Sequence, residues 1–212
     1  MPLITKLQPQ RRSTDRLNLF IDGRYLFPLP LELVVKHHLA VNRNLNQVQL
    51  EDLNFQATSY FLQEKILNYL SFRPHSSLEI KQRLEFYLRR SFAYFQGDKQ
   101  KLIEFVMAKL KANHLVDDFE FTLWFLKSRL HSKLKSRREL VQELKFKGIQ
   151  ADLVAQVLDQ LKFDEASVLK RLVAKKSSSY SSPQKLIAYL LRRGFPYRLV
   201  KAGLEKTKPD FV

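Results

Sequence analysis

The distribution of apolar positions changes character once along the chain. Arg16-Leu17-Asn18-Leu19-Phe20-Ile21 and Arg24-Tyr25-Leu26-Phe27 read as β-strands. They flank Asp22-Gly23, a pair that supplies the positive φ angles a tight hairpin turn needs. Residues 4–7 are a candidate third strand. Pro28 and Pro30 are expected to end pairing, because proline donates no ladder hydrogen bond. Short helices are expected over residues 31–38 and 47–54. From Ser59 onward the period is helical: Leu62, Ile66, Tyr69 and Leu70 place an apolar stripe on one face. Few glycines or prolines interrupt the remainder of the chain.

Those helices repeat. Ser76 with Ile80 and Leu84, Ser136 with Leu140 and Leu144, and Ser182 with Leu186 and Leu190 share one template. The serine can cap a helix N-terminus, and the later residues lie a turn apart on the buried face. Glu79 and Glu139 are placed to complete capping boxes. Gly148 and Gly194 suit left-handed C-caps. A helix precedes each copy (residues 62–72, 118–130 and 164–174) and another comes after it. Leu102, Val106 and Leu110 correspond to Leu153, Val157 and Leu161, and to Leu199 and Gly203. An insertion is expected in the first copy around residues 91–98. The predicted fold is mainly α: three tandem three-helix repeats forming an elongated body, preceded by a small N-terminal β-hairpin and helix module. The expected boundaries are 1–58 for that module, then 59–116, 117–163 and 164–212 for the repeats.

Composition narrows the function classes. The formal net charge is +16 over 212 residues, and from Thr122 to the C-terminus 20 Lys/Arg face only 8 Asp/Glu. A field of that sign concentrates polyanions and acidic protein surfaces. Cysteine is absent, which removes disulfides, thiolate metal sites and cysteine nucleophiles. Residues 1–10 lack the apolar stretch of a secretory signal, and no run approaches the ~18 apolar residues of a membrane span. A cytoplasmic protein is the expectation. Adjacent His37 and His38 diverge on a helix, and His75, His114 and His131 are isolated. With no metal spacing, phosphate-cradling glycine loop or nucleophile elbow, neither enzyme nor cofactor is expected. Asp117-Asp118 read as capping acids at a helix start. Phe121, Trp124 and Phe125 lie at helical spacing, the pattern of a core stripe; a platform for stacking bases is the alternative.

Tyr69-Leu70-Ser71-Phe72-Arg73-Pro74-His75-Ser76, Val116-Asp117-Asp118-Phe119-Glu120-Phe121, Ser128-Arg129-Leu130 leading to Ser136-Arg137-Arg138-Glu139-Leu140, and Leu190-Leu191-Arg192-Arg193-Gly194-Phe195 together resemble the RecX signature. None of these strings is specific alone; their order on a repeated three-helix unit is. The resemblance covers roughly residues 15–204. One departure is Tyr87-Leu88-Arg89-Arg90-Ser91-Phe92, where the family turns on a glycine. The resemblance implies a regulator of recombination, DNA repair and the SOS response. Such a protein lies in the groove of the RecA–DNA filament and lowers its ATPase, strand-exchange and coprotease activities. Single-stranded DNA within the filament is a second candidate partner, and a monomer is expected.

Two basic clusters are candidate contacts for acidic RecA side chains or DNA phosphate. Arg129, Lys133, Lys135, Arg137 and Arg138 straddle a turn and a helix start, with Lys145 and Lys147 farther along the same element. Lys185, Arg192, Arg193 and Arg198 lie on the last repeat. The plain alternative is a solvated basic face. Lys175-Lys176 before Ser177-Ser178-Ser179 suggests a flexible joint. A competing function is direct DNA binding by units that resemble helix-turn-helix modules. A membrane-surface role is disfavoured, because the apolar stripes are needed for the repeat cores.

Overall fold

The computed structural model describes residues 1–11 and 13–207, with side chains to Glu205; the last residues of the expected third repeat, 208–212, lie outside the described residues. The fold is mainly α, with an N-terminal three-stranded sheet followed by helices. Strands β1 (Ile4–Gln10), β2 (Ser13–Ile21) and β3 (Arg24–Pro30) pair antiparallel in the order β1-β2-β3. Asp22 at φ 47° and Gly23 at φ 78° make the expected tight turn. Pairing does not stop at the prolines, however: Asn18 faces Pro28 and Arg16 faces Pro30. β3 is an edge strand, where every second backbone nitrogen points away from β2 and a missing N–H breaks no ladder bond.

Helix α1 (Leu31–Lys36) comes next, then α2 (Gln47–Leu70). The separate helices expected before and after residue 58 are one. Asn46 and Gln49 close a capping box at its start, and no glycine or proline interrupts the 24 residues. The expected boundary between 58 and 59 therefore falls inside α2, with Leu53 and Ala57 on one side and Phe61, Leu62 and Ile66 on the other. All five join a single core with Ile4, Leu19, Phe27 and Leu29 of the sheet. Ile80, Leu84 and Leu88 of α3 (Ser77–Ser91) and Leu102, Val106 and Leu110 of α4 (Lys99–Ala112) complete that core. The sheet and the first helical triplet thus have no separate hydrophobic interiors. The first-copy insertion is partly helical, since α3 has 15 residues where its counterparts α6 (Arg137–Phe146) and α9 (Pro183–Arg192) have 10.

By internal contacts the chain forms two compact units. One comprises Met1–Arg73 and Glu79–Val116, the other Pro74–Leu78 and the chain from Asp117 on. The second unit holds two hydrophobic clusters. Phe121, Phe125 and Leu126 of α5 (Asp118–Ser132) pack with Leu140 and Leu144 of α6 and Val154, Val157 and Leu158 of α7 (Ala151–Gln160). Leu169, Leu172 and Val173 of α8 (Glu165–Lys176) pack with Leu186 and Leu190 of α9 and Val200 of α10 (Tyr197–Thr207). Phe121 and Phe125 are core as their spacing suggests, whereas Trp124 stays 36% exposed. Residues Ser177–Ser179, expected as a loose joint, form a 3-10 turn.

Within the second unit, which includes Pro74–Leu78, one device recurs. The first amide of a middle helix donates to an acid at the start of the next copy's first helix. Ser77 N donates to Asp118 Oδ1 at 2.7 Å, and Arg137 N donates to Glu165 Oε1 at 2.7 Å. Each left-handed glycine then lies against that same helix start. A Cβ on Gly148 (φ +79°) would meet Leu78 Cβ at 2.7 Å, and one on Gly194 (φ +83°) would meet Arg138 Cβ at 2.9 Å. Asp118 thus serves the neighbouring copy, while Asp117 caps α5 by accepting from Phe119 N and Glu120 N.

Candidate functional site

Arg138 of the first basic cluster and Arg193 of the second meet at the turn between α5 and α6. Lys133 is extended (φ −135°, ψ 141°) and ends α5, and Leu134 enters the hydrophobic cluster of the last triplet. Ser136, fully buried, then starts α6, its Oγ accepting from Glu139 N at 3.1 Å while Glu139 Oε2 accepts from Ser136 N at 3.0 Å. The same Oγ donates to the carbonyl of Arg193 at 2.6 Å.

The structure divides the candidate cations by what holds them. Arg193 belongs to the frame. Its Nε and Nη2 donate to Glu139 at 2.5 and 3.0 Å, Nη2 also donates to Leu134 O, and Nη1 donates to Tyr189 Oη. The Glu139 hydrogen bond raises its pKa further, so it is a permanent cation committed to an internal acid. Arg129 and Lys135 both bind Glu143, and the Arg129 guanidinium lies 4.9 Å from the centre of the Phe125 ring. Arg137 pairs with Asp159 at 2.7 Å. Lys185 Nζ donates to Ser181 Oγ at 3.0 Å. Lys147 is half-buried and precedes Gly148 as Arg193 precedes Gly194.

Lys133, Arg138, Lys145, Arg192 and Arg198 are exposed, and among the described residues they make no ion pair. Arg138 lies along Gly194, its Cδ 3.0 Å from where a Cβ would stand, which brings it beside the Arg192-Arg193 end of α9. Lys133 faces a different set. With Leu130, His131, Ser132 and Leu134 it lines a cavity of about 540 Å³ whose far side carries Arg171, Ala174 and Lys175 of α8. No carboxylate lines this hollow, and its cations are exposed, so it offers phosphate or carboxylate groups N–H donors without a competing acid. Arg171 and Lys175 were not among the sequence candidates. Their only sequence signal is i, i+4 spacing on α8, and what pairs them with Lys133 is the return of the chain across the α5–α6 turn. Among the described residues no cluster of three or more His, Asp or Glu could hold a metal ion. No described helix is long and apolar enough to cross a membrane.

Comparison with known proteins gives this arrangement a context. Residues 2–46 match the family described as the regulatory protein RecX N-terminal domain, and residues 117–158, which span α5 to α7, match the RecX second three-helix domain. The regulatory protein RecX of Bacillus licheniformis is 28% identical over 216 residues, covering 98% of this chain and 78% of that protein. The regulatory protein RecX of Listeria monocytogenes is 27% identical over 207 residues, covering 94% and 74%. A crystal structure of regulatory protein RecX superposes with a TM-score of 0.71 at 22% identity, covering 95% of this chain and 98% of that one. RecX from Lactobacillus salivarius superposes at 0.58 with 21% identity, over 71% of this chain and 97% of that one. In its N-terminal sheet, its second helical triplet and nearly its whole length, in order, the chain is similar to regulatory proteins of the RecX family.

Proposed function

We propose that this protein regulates recombination and the DNA-damage response by binding the RecA–DNA filament and lowering its ATPase, strand-exchange and coprotease activities, acting as a cytoplasmic monomer with no reaction or cofactor of its own. The observation that carries the reading is the similarity to regulatory RecX proteins over nearly the full chain. The distribution of charge supports it. In the second unit the acids Glu139, Glu143 and Asp159 are occupied by Arg193, by Arg129 and Lys135, and by Arg137. The cations left over, Lys133, Arg138, Lys145, Arg192 and Arg198 with Arg171 and Lys175, are exposed and available to a polyanionic or acidic polymer. Recognition through such long, exposed side chains depends on salt and is built from many weak contacts, as suits a protein that must bind a filament and leave it.

The experiment is ATP hydrolysis by RecA assembled on single-stranded DNA, titrated with the purified protein. Inhibition at substoichiometric amounts is expected. Unchanged hydrolysis, together with a salt-sensitive shift of duplex DNA in the absence of RecA, would replace this reading with direct DNA binding by the three-helix units.

A further inference from the structure

The first unit carries a surface of a different kind, made by one face of α2 and one of α3. Arg83, Phe86, Tyr87 and Arg90 recur at i, i+3, i+4 and i+7 on α3, so they share a side of the helix next to the buried Ile80, Leu84 and Leu88. Lys65 and Tyr69, a turn apart on α2, meet them. The Arg83 guanidinium lies 4.4 Å from the Tyr69 ring centre, 5.3 Å from Tyr87 and 5.5 Å from Phe86. Lys65 Nζ lies 5.3 Å from the Tyr87 ring and Arg90 5.9 Å from the Phe86 ring. Phe86 is 37% exposed, and Phe72, three residues beyond Tyr69, is 85% exposed.

Two features separate this cluster from an ordinary stabilising one. First, its charge is unanswered. Arg83 makes no hydrogen bond or ion pair among the described residues, and its Nε is buried with no partner. Nor does an acid pair with Lys65 or Arg90: Glu64 is taken by Arg16, and Glu79 by Arg73. Second, the repeat does not require it. Seven residues after the template serine the chain has Arg83, Glu143 and Tyr189 in the three copies, so the guanidinium is peculiar to the first. Guanidinium groups lying within 4.4–5.9 Å of ring centres, with no acid paired to them, present aromatic surfaces and phosphate donors side by side.

We propose that the α2–α3 face formed by Lys65, Tyr69, Arg83, Phe86, Tyr87 and Arg90 binds single-stranded nucleic acid directly, its bases stacking on Phe86 and the neighbouring ring–guanidinium layers and its phosphates taken by Arg83, Arg90 and Lys65. A duplex buries its base faces and cannot use the rings, whereas an acidic peptide could use the cations but gains nothing from stacking. This goes beyond filament regulation, because it requires no recombinase.

The test is fluorescence anisotropy of a labelled thymidine oligonucleotide with the full chain alone. Single strands should bind more tightly than a duplex of the same length. Phe86→Ala and Arg83→Ala should each weaken single-strand binding roughly tenfold, with Phe86→Trp restoring it. In a Trp124→Phe background, the indole of Phe86→Trp should be quenched on adding the oligonucleotide. Equal affinity for duplex, competition by polyglutamate as effective as by the oligonucleotide, or unchanged binding by both alanine variants would overturn the proposal. Phe86→Trp keeps a ring at the partly exposed position, and circular dichroism separates loss of binding from loss of fold in both alanine variants. Recombinase is absent, so failure here leaves the filament reading standing, and failure of that reading leaves this one.

Discussion

Arg193, at the end of α9, grips Glu139, the residue that closes the capping box of α6, through Nε at 2.5 Å and Nη2 at 3.0 Å. The two side chains retain 27% and 25% exposure, so water reaches the pair only in part. One arginine thereby joins the last triplet to the helix start of the triplet before it, using the carbonyl of Leu134 and the hydroxyl of Tyr189 as further acceptors.

Removing it should loosen the second unit. Arg193→Ala leaves the Leu134 carbonyl without that donor and Glu139 with only the Ser136 amide, and a loss of about 2 kcal/mol is expected from charged hydrogen bonds of this kind. Arg193→Lys should recover only part, since one ammonium cannot reproduce the two-pronged contact. Urea denaturation checks both, and a stability equal to the parent for Arg193→Ala would disprove the role.

Gly194 is constrained twice over. Its φ of +83° is costly for any residue with a Cβ, and that Cβ would stand 2.9 Å from Arg138 Cβ and 3.1 Å from Ser136 Oγ. Gly194→Ala should cost about 2 kcal/mol or more. Gly23→Ala should cost less, since at φ +78° it meets nothing within 4 Å and carries only the backbone penalty. Paired melting curves decide the order.

Alkaline stability should involve Tyr94. Burial of its hydroxyl, which has no hydrogen-bond partner, pushes the pKa from 10.0 up to about 12. Below pH 10 the phenol is protonated in both folded and unfolded chains. Between about 10 and 12 the unfolded chain has released its proton and the folded one has not, so stability falls as pH rises. The share due to Tyr94 is on the order of 2 kcal/mol. Tyr94→Phe should flatten that fall, as read by denaturation midpoints from pH 9 to 12; an unchanged slope would show that the phenol does not contribute.

Cations of the second unit should separate into two groups on charge reversal. Lys133→Glu and Arg171→Glu, on the rim of the carboxylate-free cavity, should weaken capture by RecA filaments about tenfold when combined, with melting temperature nearly unchanged. Lys135→Glu should act the other way, destabilising the fold because it sets an acid against Glu143. Filament sedimentation beside thermal melts distinguishes the groups, and equal effects on both readouts for every variant would refute the division.

What could be read from the chain was whatever depends on residues close in sequence. Asp22-Gly23 makes its turn, Ser136 and Glu139 make their box, and Gly148 and Gly194 take left-handed conformations, because caps and turns are closed by atoms a few residues apart. The helical triplets were legible in the periodicity for the same reason. Tertiary structure decided what depends on distant partners. It fused the sheet and first triplet into one core through an unbroken α2, kept Pro28 and Pro30 in a strand because that strand is an edge, and turned Arg193 inward to Glu139 while leaving Arg192 outside. Adjacent arginines look alike in a sequence. Which of them is framework and which is surface depends on an acid 54 residues away, brought near only when the two triplets stack.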